Sequence, residues 1–200
     1  MDKQIVKELE GTTVLVVDDD KDLADMLKEQ LEVIGMKVVG VAYSGQEALD
    51  LTLTTDPALV ILDIKMDDMD GIEVAQRINA IEPRPIMFLS AFSQPNYIER
   101  AKSTGVFTYL VKPITIEKII PSIVLTMDRF REMISLKATV DDMRETIENR
   151  NAIEKAKVIL VNKKNLTEED AYSSIRRKSQ EENKPMADIA RAIVMMGDML

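Results

Sequence analysis

The chain has 200 residues, 46% of them apolar, with neither cysteine nor histidine and a net charge of −9. That supports one full domain plus a smaller module, and excludes disulfides, thiolate zinc sites and every imidazole base, metal ligand or phosphohistidine relay. No apolar run approaches the roughly 20 residues of a bilayer span, and the Met1-Asp-Lys-Gln start has no hydrophobic signal core, so a cytoplasmic protein without a membrane partner is expected.

Along the chain, short β-branched runs alternate with helical patterns. Thr13 to Val17 precedes a helix over Leu23 to Ile34, and Lys37 to Ala42 precedes one over Gln46 to Thr54. Ala58 to Leu62 leads into Ile72 to Ile81, Ile86 to Leu89 into Tyr97 to Ser103, and Val106 to Val111 into a helix from about Ile116. These are five βα units. Ser44 with Glu47 has the spacing of a capping box, Gly35 is placed to end the first helix, and Gly105 precedes the fifth strand. The economical reading is α/β: a flavodoxin-like, doubly wound parallel sheet, because near-continuous apolar strands need cover on both faces.

From Pro121 a long helical stretch runs without Gly or Pro until Pro185. Met133, Leu136, Val140, Met143 and Ile147 alternate by three and four, a two-heptad seam suited to a coiled-coil partner. Beyond Ile147 the same track becomes Arg150, Lys157 and Lys164, while the apolar stripe moves to Ile153, Ala156 and Leu160. The helix therefore changes the face it buries: its first part is expected to pair with another chain and its last part to pack in a C-terminal bundle. Thr167 with Asp170 signals the start of a helix to about Gln180, and Pro185 suits the first turn of another carrying Met186, Ile189, Ala190, Ile193 and Val194 on one face. Three helices give a marginal core, which dimerisation through the long helix would relieve.

The chemistry sits at strand ends. Val14-Leu-Val-Val runs directly into Asp18-Asp19-Asp20, and Leu59-Val-Ile-Leu into Asp63. In a flavodoxin-like strand order the first and third strands are neighbours, so Asp18, Asp19 and Asp63 converge at the switch point. Three such carboxylates repel by roughly 1 to 4 kcal/mol per pair at 4 to 6 Å unless a cation lies among them. All-oxygen ligation suits Mg²⁺ (or Mn²⁺), which also neutralises an incoming phosphoryl group and leaves one carboxylate as nucleophile. Asp63, alone at its strand end, is the expected nucleophile. Ser90 ends the fourth strand with a hydroxyl, Lys112 ends the fifth with an ammonium, and a cis bond is plausible at Lys112-Pro113.

These residues carry a resemblance. Val-Val-Asp18-Asp19-Asp20, Leu62-Asp63-Ile-Lys-Met66 with Asp70-Gly71, Leu89-Ser90-Ala91 and Tyr109-Leu-Val-Lys112-Pro113 resemble the motifs of a response-regulator receiver domain. The resemblance implies that Asp63 accepts a phosphoryl group from a sensor histidine kinase, and that Asp18, Asp19, Asp63 and the backbone carbonyl of Lys65 hold Mg²⁺. It further implies that Ser90 and Tyr109 form the switch pair. One departure stands out: the family often has Pro where Asp67 stands, next to Asp68.

The C-terminal module carries equal numbers of acidic and basic residues, ten each over 145–200 against 25 acidic and 16 basic over 1–144. It therefore escapes the negative field that repels nucleic acid. Tyr172 and Arg176 lie four apart and share a helical face able to stack on an unpaired base and meet a phosphate. Arg150-Asn-Ala-Ile-Glu-Lys-Ala156-Lys157, Leu166-Thr-Glu-Glu-Asp-Ala171-Tyr172, Ile175-Arg176-Arg177 and Met186-Ala-Asp-Ile-Ala190 resemble an ANTAR domain, the three-helix RNA-binding output of transcription antitermination regulators. Departures are Val158 for the usual Gly, Val161 for Met and Ser179 for Ala.

Taken together, the resemblances imply an N-terminal extension at 1–11, a receiver domain at 12–121, a coiled-coil linker helix at 122–148 and an ANTAR RNA-binding domain at 149–200. They imply a homodimer when phosphorylated, binding RNA hairpins in an mRNA leader so that a terminator cannot form. Lys157 and Arg176 are the foremost RNA contacts expected, followed by Arg150, Lys164, Arg177 and Tyr172. A DNA-binding response regulator and a protein-interaction adaptor are the alternatives; no compact helix-turn-helix signature supports the former. An aspartyl-phosphate enzyme is disfavoured, because Asp63-Ile-Lys65 lacks a second Asp two residues on.

Overall fold

The computed structural model describes residues 7–91 and 108–197. The helical pattern over Tyr97 to Ser103 and the Gly105 signal lie outside the described residues. Five parallel strands, β1 (Thr13–Val17), β2 (Lys37–Ala42), β3 (Leu59–Asp63), β4 (Ile86–Ser90) and β5 (Thr108–Val111), form one sheet in the order β2-β1-β3-β4-β5. Helices α1 (Lys21–Val33), α2 (Gly45–Thr55) and α3 (Gly71–Ile81) connect them, and α4 (Ile116–Lys164), α5 (Glu168–Glu182) and α6 (Met186–Gly197) follow.

Strand periodicity divides the core into two layers, as expected of a doubly wound sheet. Val14, Val16, Leu59, Ile61, Met87 and Leu89 face one side, against Ala24, Leu27 and Leu31 of α1 and Ile119, Ile120 and Ile123 of α4. Leu15, Val17, Val60, Leu62, Ile86 and Phe88 face the other, against α2 and α3. Leu9, assigned to the N-terminal extension on sequence, is 3% exposed within the first layer. Its apolar side chain is part of what shields that face from water.

Most helix ends follow their capping chemistry. Asp20, Ser44, Asp70 and Thr167 each accept an N–H of the first turn. At α2 the box closes differently from its usual form: Glu47 Oε2 accepts the N–H of Tyr43, one residue before the cap, rather than that of Ser44. α1 ends two residues before Gly35, which takes a φ of 88° and donates its N–H to the Glu32 carbonyl. The helix α4 is continuous through Pro121, and the Lys112-Pro113 peptide is cis.

The chain divides into two compact units, Met1–Met133 and Ile134–Leu200. In the second, α4 ends where Asn165 takes a left-handed conformation, a break that neither Gly nor Pro marks. Ala156 and Leu160 of α4, Ala171 and Ile175 of α5, and Ile189 and Ala190 of α6 form its core. Val158 is 57% exposed, so the departure from glycine there leaves that core untouched. Ser179 sits at the other end of α5, its hydroxyl donating to the Lys184 carbonyl.

Candidate metal and phosphoacceptor centre

Sheet order decides where the acids meet. Because β1 and β3 are adjacent, Asp18, one residue past β1, and Asp63, the last residue of β3, emerge side by side. Asp18, Asp19 and Asp63 each offer a carboxylate oxygen within 4.8 Å of the others. Asp18 and Asp63 are buried, at 0% and 5% exposure, and Asp19 is partly buried.

Lys112 reaches in from the end of β5. Its Nζ lies 2.7 Å from Asp18 Oδ2 and 3.3 Å from Asp63 Oδ2, and its backbone N–H donates to the Ser90 carbonyl. Burial, reinforced by the charges of Asp18 and Asp19, pushes the Asp63 carboxyl up to about 6 despite the pull of Lys112. Burial likewise raises Asp18, partly offset by Lys112 and the Asp20 amide. Burial alone would lower the Lys112 ammonium, but Asp18 and Asp63 together outweigh it and hold it above its ordinary value. Among the described residues one cation, Lys112, thus faces three acids, a net negative nest.

The donor set suits a hard divalent cation. It is all oxygen, and Asp63 Oδ1 is buried with no hydrogen-bond partner among the described residues, a state that desolvation makes costly unless a cation or phosphoryl group satisfies it. Ser90 is buried at the end of β4, and Tyr109 in β5 is 44% exposed. Lys65 stands two residues past Asp63 in the loop that leaves β3, with an exposed side chain. The sheet therefore gathers Asp18, Asp19, Asp63 and Lys112 into one contact group, with Ser90 and Tyr109 on the strands beside it.

Sequence reading missed the anchorage of that loop. Asp67 donates its backbone N–H to Asp19 Oδ2 at 3.2 Å, and the Asp68 carboxylate turns away from the acidic nest to accept from Gly45 and Gln46 at the start of α2. The available signal was Gly45 directly after a serine cap: a Cβ there would meet Met69 Cβ at 2.7 Å.

In the C-terminal unit the expected RNA contacts differ in environment. Lys157 is 15% exposed and bound by Glu154 at 3.0 Å and Glu168 at 3.6 Å, with the Glu154 carboxylate foremost in raising its ammonium above the ordinary value. Arg177 is exposed, 3.8 Å from Glu181. Arg150, Lys164, Tyr172 and Arg176 are exposed, and among the described residues their side chains make no hydrogen bond or ion pair. Glu168, Tyr172 and Arg176 follow at four-residue steps along one side of α5. That side begins against Lys157 on the basic track of α4.

Two family models match: the response regulator receiver domain over residues 14–124 and the ANTAR domain over residues 141–194. The transcriptional regulatory protein PdtaR of Mycobacterium tuberculosis is 40% identical over 185 residues, covering 90% of this chain and 88% of the relative. The receiver domain of a modulated diguanylate cyclase from Desulfovibrio desulfuricans G20 superposes with a TM-score of 0.58 at 30% identity, over 62% of this chain and 99% of that one. The receiver domain of NarL from Mycobacterium tuberculosis gives 0.56 at 28%, over 60% and 98%. No helix among the described residues is long and apolar enough to cross a membrane. With the acidic nest and its lysine at the ends of the sheet, and with homology running from one domain into the next, the chain belongs to the response regulators that join a receiver domain to an ANTAR RNA-binding domain, a regulatory family rather than an enzymatic one.

Proposed function

We propose that Asp63 is the phosphoacceptor of a phosphorylation-driven RNA switch. The observation that carries this reading is the Asp63 carboxylate itself: buried, one oxygen without a partner among the described residues, the other 3.3 Å from the Lys112 ammonium. A carboxylate oxygen of Asp63 attacks the phosphorus of a kinase's phosphohistidine, the P–N bond breaks, and the histidine leaves with the bonding pair. Asp18, Asp19, Asp63 and the Lys65 carbonyl would hold Mg²⁺ or Mn²⁺, which neutralises phosphoryl charge. Lys112 pairs with a phosphoryl oxygen, and the Ser90 hydroxyl donates to another, drawing the loop after β4 inward. Tyr109, now exposed, then turns inward and remodels the surface beside β5.

The consequence is dimerisation along α4. Leu136, Val140, Met143 and Ile147 are each about three-fifths exposed at heptad spacing, a seam that a second copy would cover. Paired ANTAR modules then bind tandem hairpins in a nascent mRNA leader, and an overlapping terminator does not form. Arg176, on the same face of α5 as Tyr172, is favoured as an RNA contact over Lys157, whose charge is already balanced by Glu154 and Glu168.

The test combines labelling from acetyl phosphate, solution mass by light scattering, and gel-shift titration of a leader hairpin. Wild type takes up one label, doubles in mass and binds the hairpin more tightly; Asp63→Asn does none of these, and Val140→Glu is labelled but stays monomeric. Label in the Asp63→Asn variant, or tighter RNA binding without any mass change, sinks the corresponding step.

A further inference from the structure

We propose that the loop from Ile64 to Asp70 is a positioning device, in which Asp68, clamped on the start of α2, holds the Asp67 amide against Asp19 and so orients that carboxylate for the divalent cation. This rests on the reading of Asp18, Asp19 and Asp63 as a metal site.

The three acids are not supported equally. Asp18 is held by Lys112 and the Asp20 N–H, and Asp63 lies beside Lys112. Among the described residues, the one hydrogen bond to the Asp19 side chain is the Asp67 N–H at 3.2 Å. A short carboxylate with a single donor takes its orientation from that donor. Proline, the common occupant of this position in the family, has no N–H to give.

The amide is in turn placed by its neighbour. The Asp68 carboxylate accepts from Gly45 N–H at 2.9 and 3.0 Å and from Gln46 N–H at 3.3 Å. These are unsatisfied donors of the first helical turn, where the backbone dipoles favour an anion. The Gly45 amide foremost, with Gln46, keeps the Asp68 carboxyl below its ordinary value, so it stays ionised at neutral pH. Met69 of the loop and Val74 of α3 pack against the same bare backbone: a Cβ on Gly45 would meet Met69 Cβ at 2.7 Å and Val74 Cγ2 at 2.9 Å. The far end of the loop is tied as well, with Gly71 N–H donating to the Ile64 carbonyl at 2.8 Å. Both ends and the middle of the loop are therefore fixed, and Asp67 has little freedom to withdraw from Asp19.

The experiment is a calorimetric Mg²⁺ titration of the unphosphorylated full chain, with acetyl phosphate labelling alongside. Asp67→Pro removes the amide donor; Asp67→Ala removes the side-chain charge and keeps the donor. Asp67→Pro weakens Mg²⁺ binding about threefold to tenfold relative to Asp67→Ala, the scale of one hydrogen bond. Asp68→Ala weakens it to a similar degree and Asp68→Asn, which keeps one acceptor oxygen, by less. Equal affinity of the two Asp67 variants overturns the proposal, as does wild-type affinity in Asp68→Ala; should Asp68→Ala fail to fold, Asp68→Asn against wild type decides. Absence of Mg²⁺ binding in the wild type instead overturns the metal site on which the inference stands.

Discussion

The receiver and the ANTAR module bury their apolar residues to very different depths. In the receiver two layers sandwich the sheet, and Phe88, Leu15, Leu27, Ile61 and Met87 are among side chains wholly removed from water. In the module, three of the six buried core residues among those described are alanines, and Ile175 is the one large side chain at 0% exposure. Alanine contributes almost no side-chain burial, so the module gains close helix packing at the expense of hydrophobic stabilisation. The receiver's acids thus stand on a deeply packed frame, whereas the module's small core gives it less hydrophobic stabilisation.

Truncation tests that contrast most strongly. Ile175→Ala removes about 2–5 kcal/mol, most of what a bundle of this size holds. Calorimetry should show the module's transition lost or shifted far down while the receiver's stays in place; a single transition moving as a whole would erase the distinction.

A pH series sharpens the receiver side. In metal-free protein, burial raises Asp63 from 3.8 to about 6, so its contribution to stability is fully present below pH 3.8 and is lost as pH rises through about 6. Asp63→Asn in EDTA should therefore melt a few degrees above wild type at pH 7. The gap should narrow toward pH 4, and a gap independent of pH would mean that burial of the charge is not its cause.

On the module side the expected effect is smaller. Arg176→Ala should weaken hairpin binding by about 1–3 kcal/mol, with phosphorylation unchanged. Lys157→Ala should weaken it less and lower the module's melting temperature instead, because Lys157 ties α4 to the first turn of α5 through Glu168. Reversal of that order in a gel-shift titration would return Lys157 to the RNA surface.

Much of this was legible in the chain itself, for physical reasons. Buried parallel strands read as apolar runs, so β1, β3 and β4 stood out, and acids directly after such runs have few structural explanations. Ser90 and Lys112 followed from their places at strand ends. What escaped was contact between positions distant in sequence: Asp68 caps a helix 22 to 23 residues upstream, which its place next to Asp67 does not reveal. Lys157 looked free because Glu168 reaches it only through the turn at Asn165, a left-handed residue that no Gly or Pro announces. Leu9 was set outside the receiver because no periodic pattern surrounds it.

Gly71 has a bearing on how the protein can vary. A methyl group at that position would sit 2.0 Å from the carbonyl oxygen of Asp63, inside any tolerable van der Waals separation. Every alternative amino acid thus pushes directly on the backbone of Asp63, the proposed phosphoacceptor. A saturation library through this loop should show position 71 as intolerant as position 63, although only the second is proposed to perform chemistry and the first merely leaves room for it.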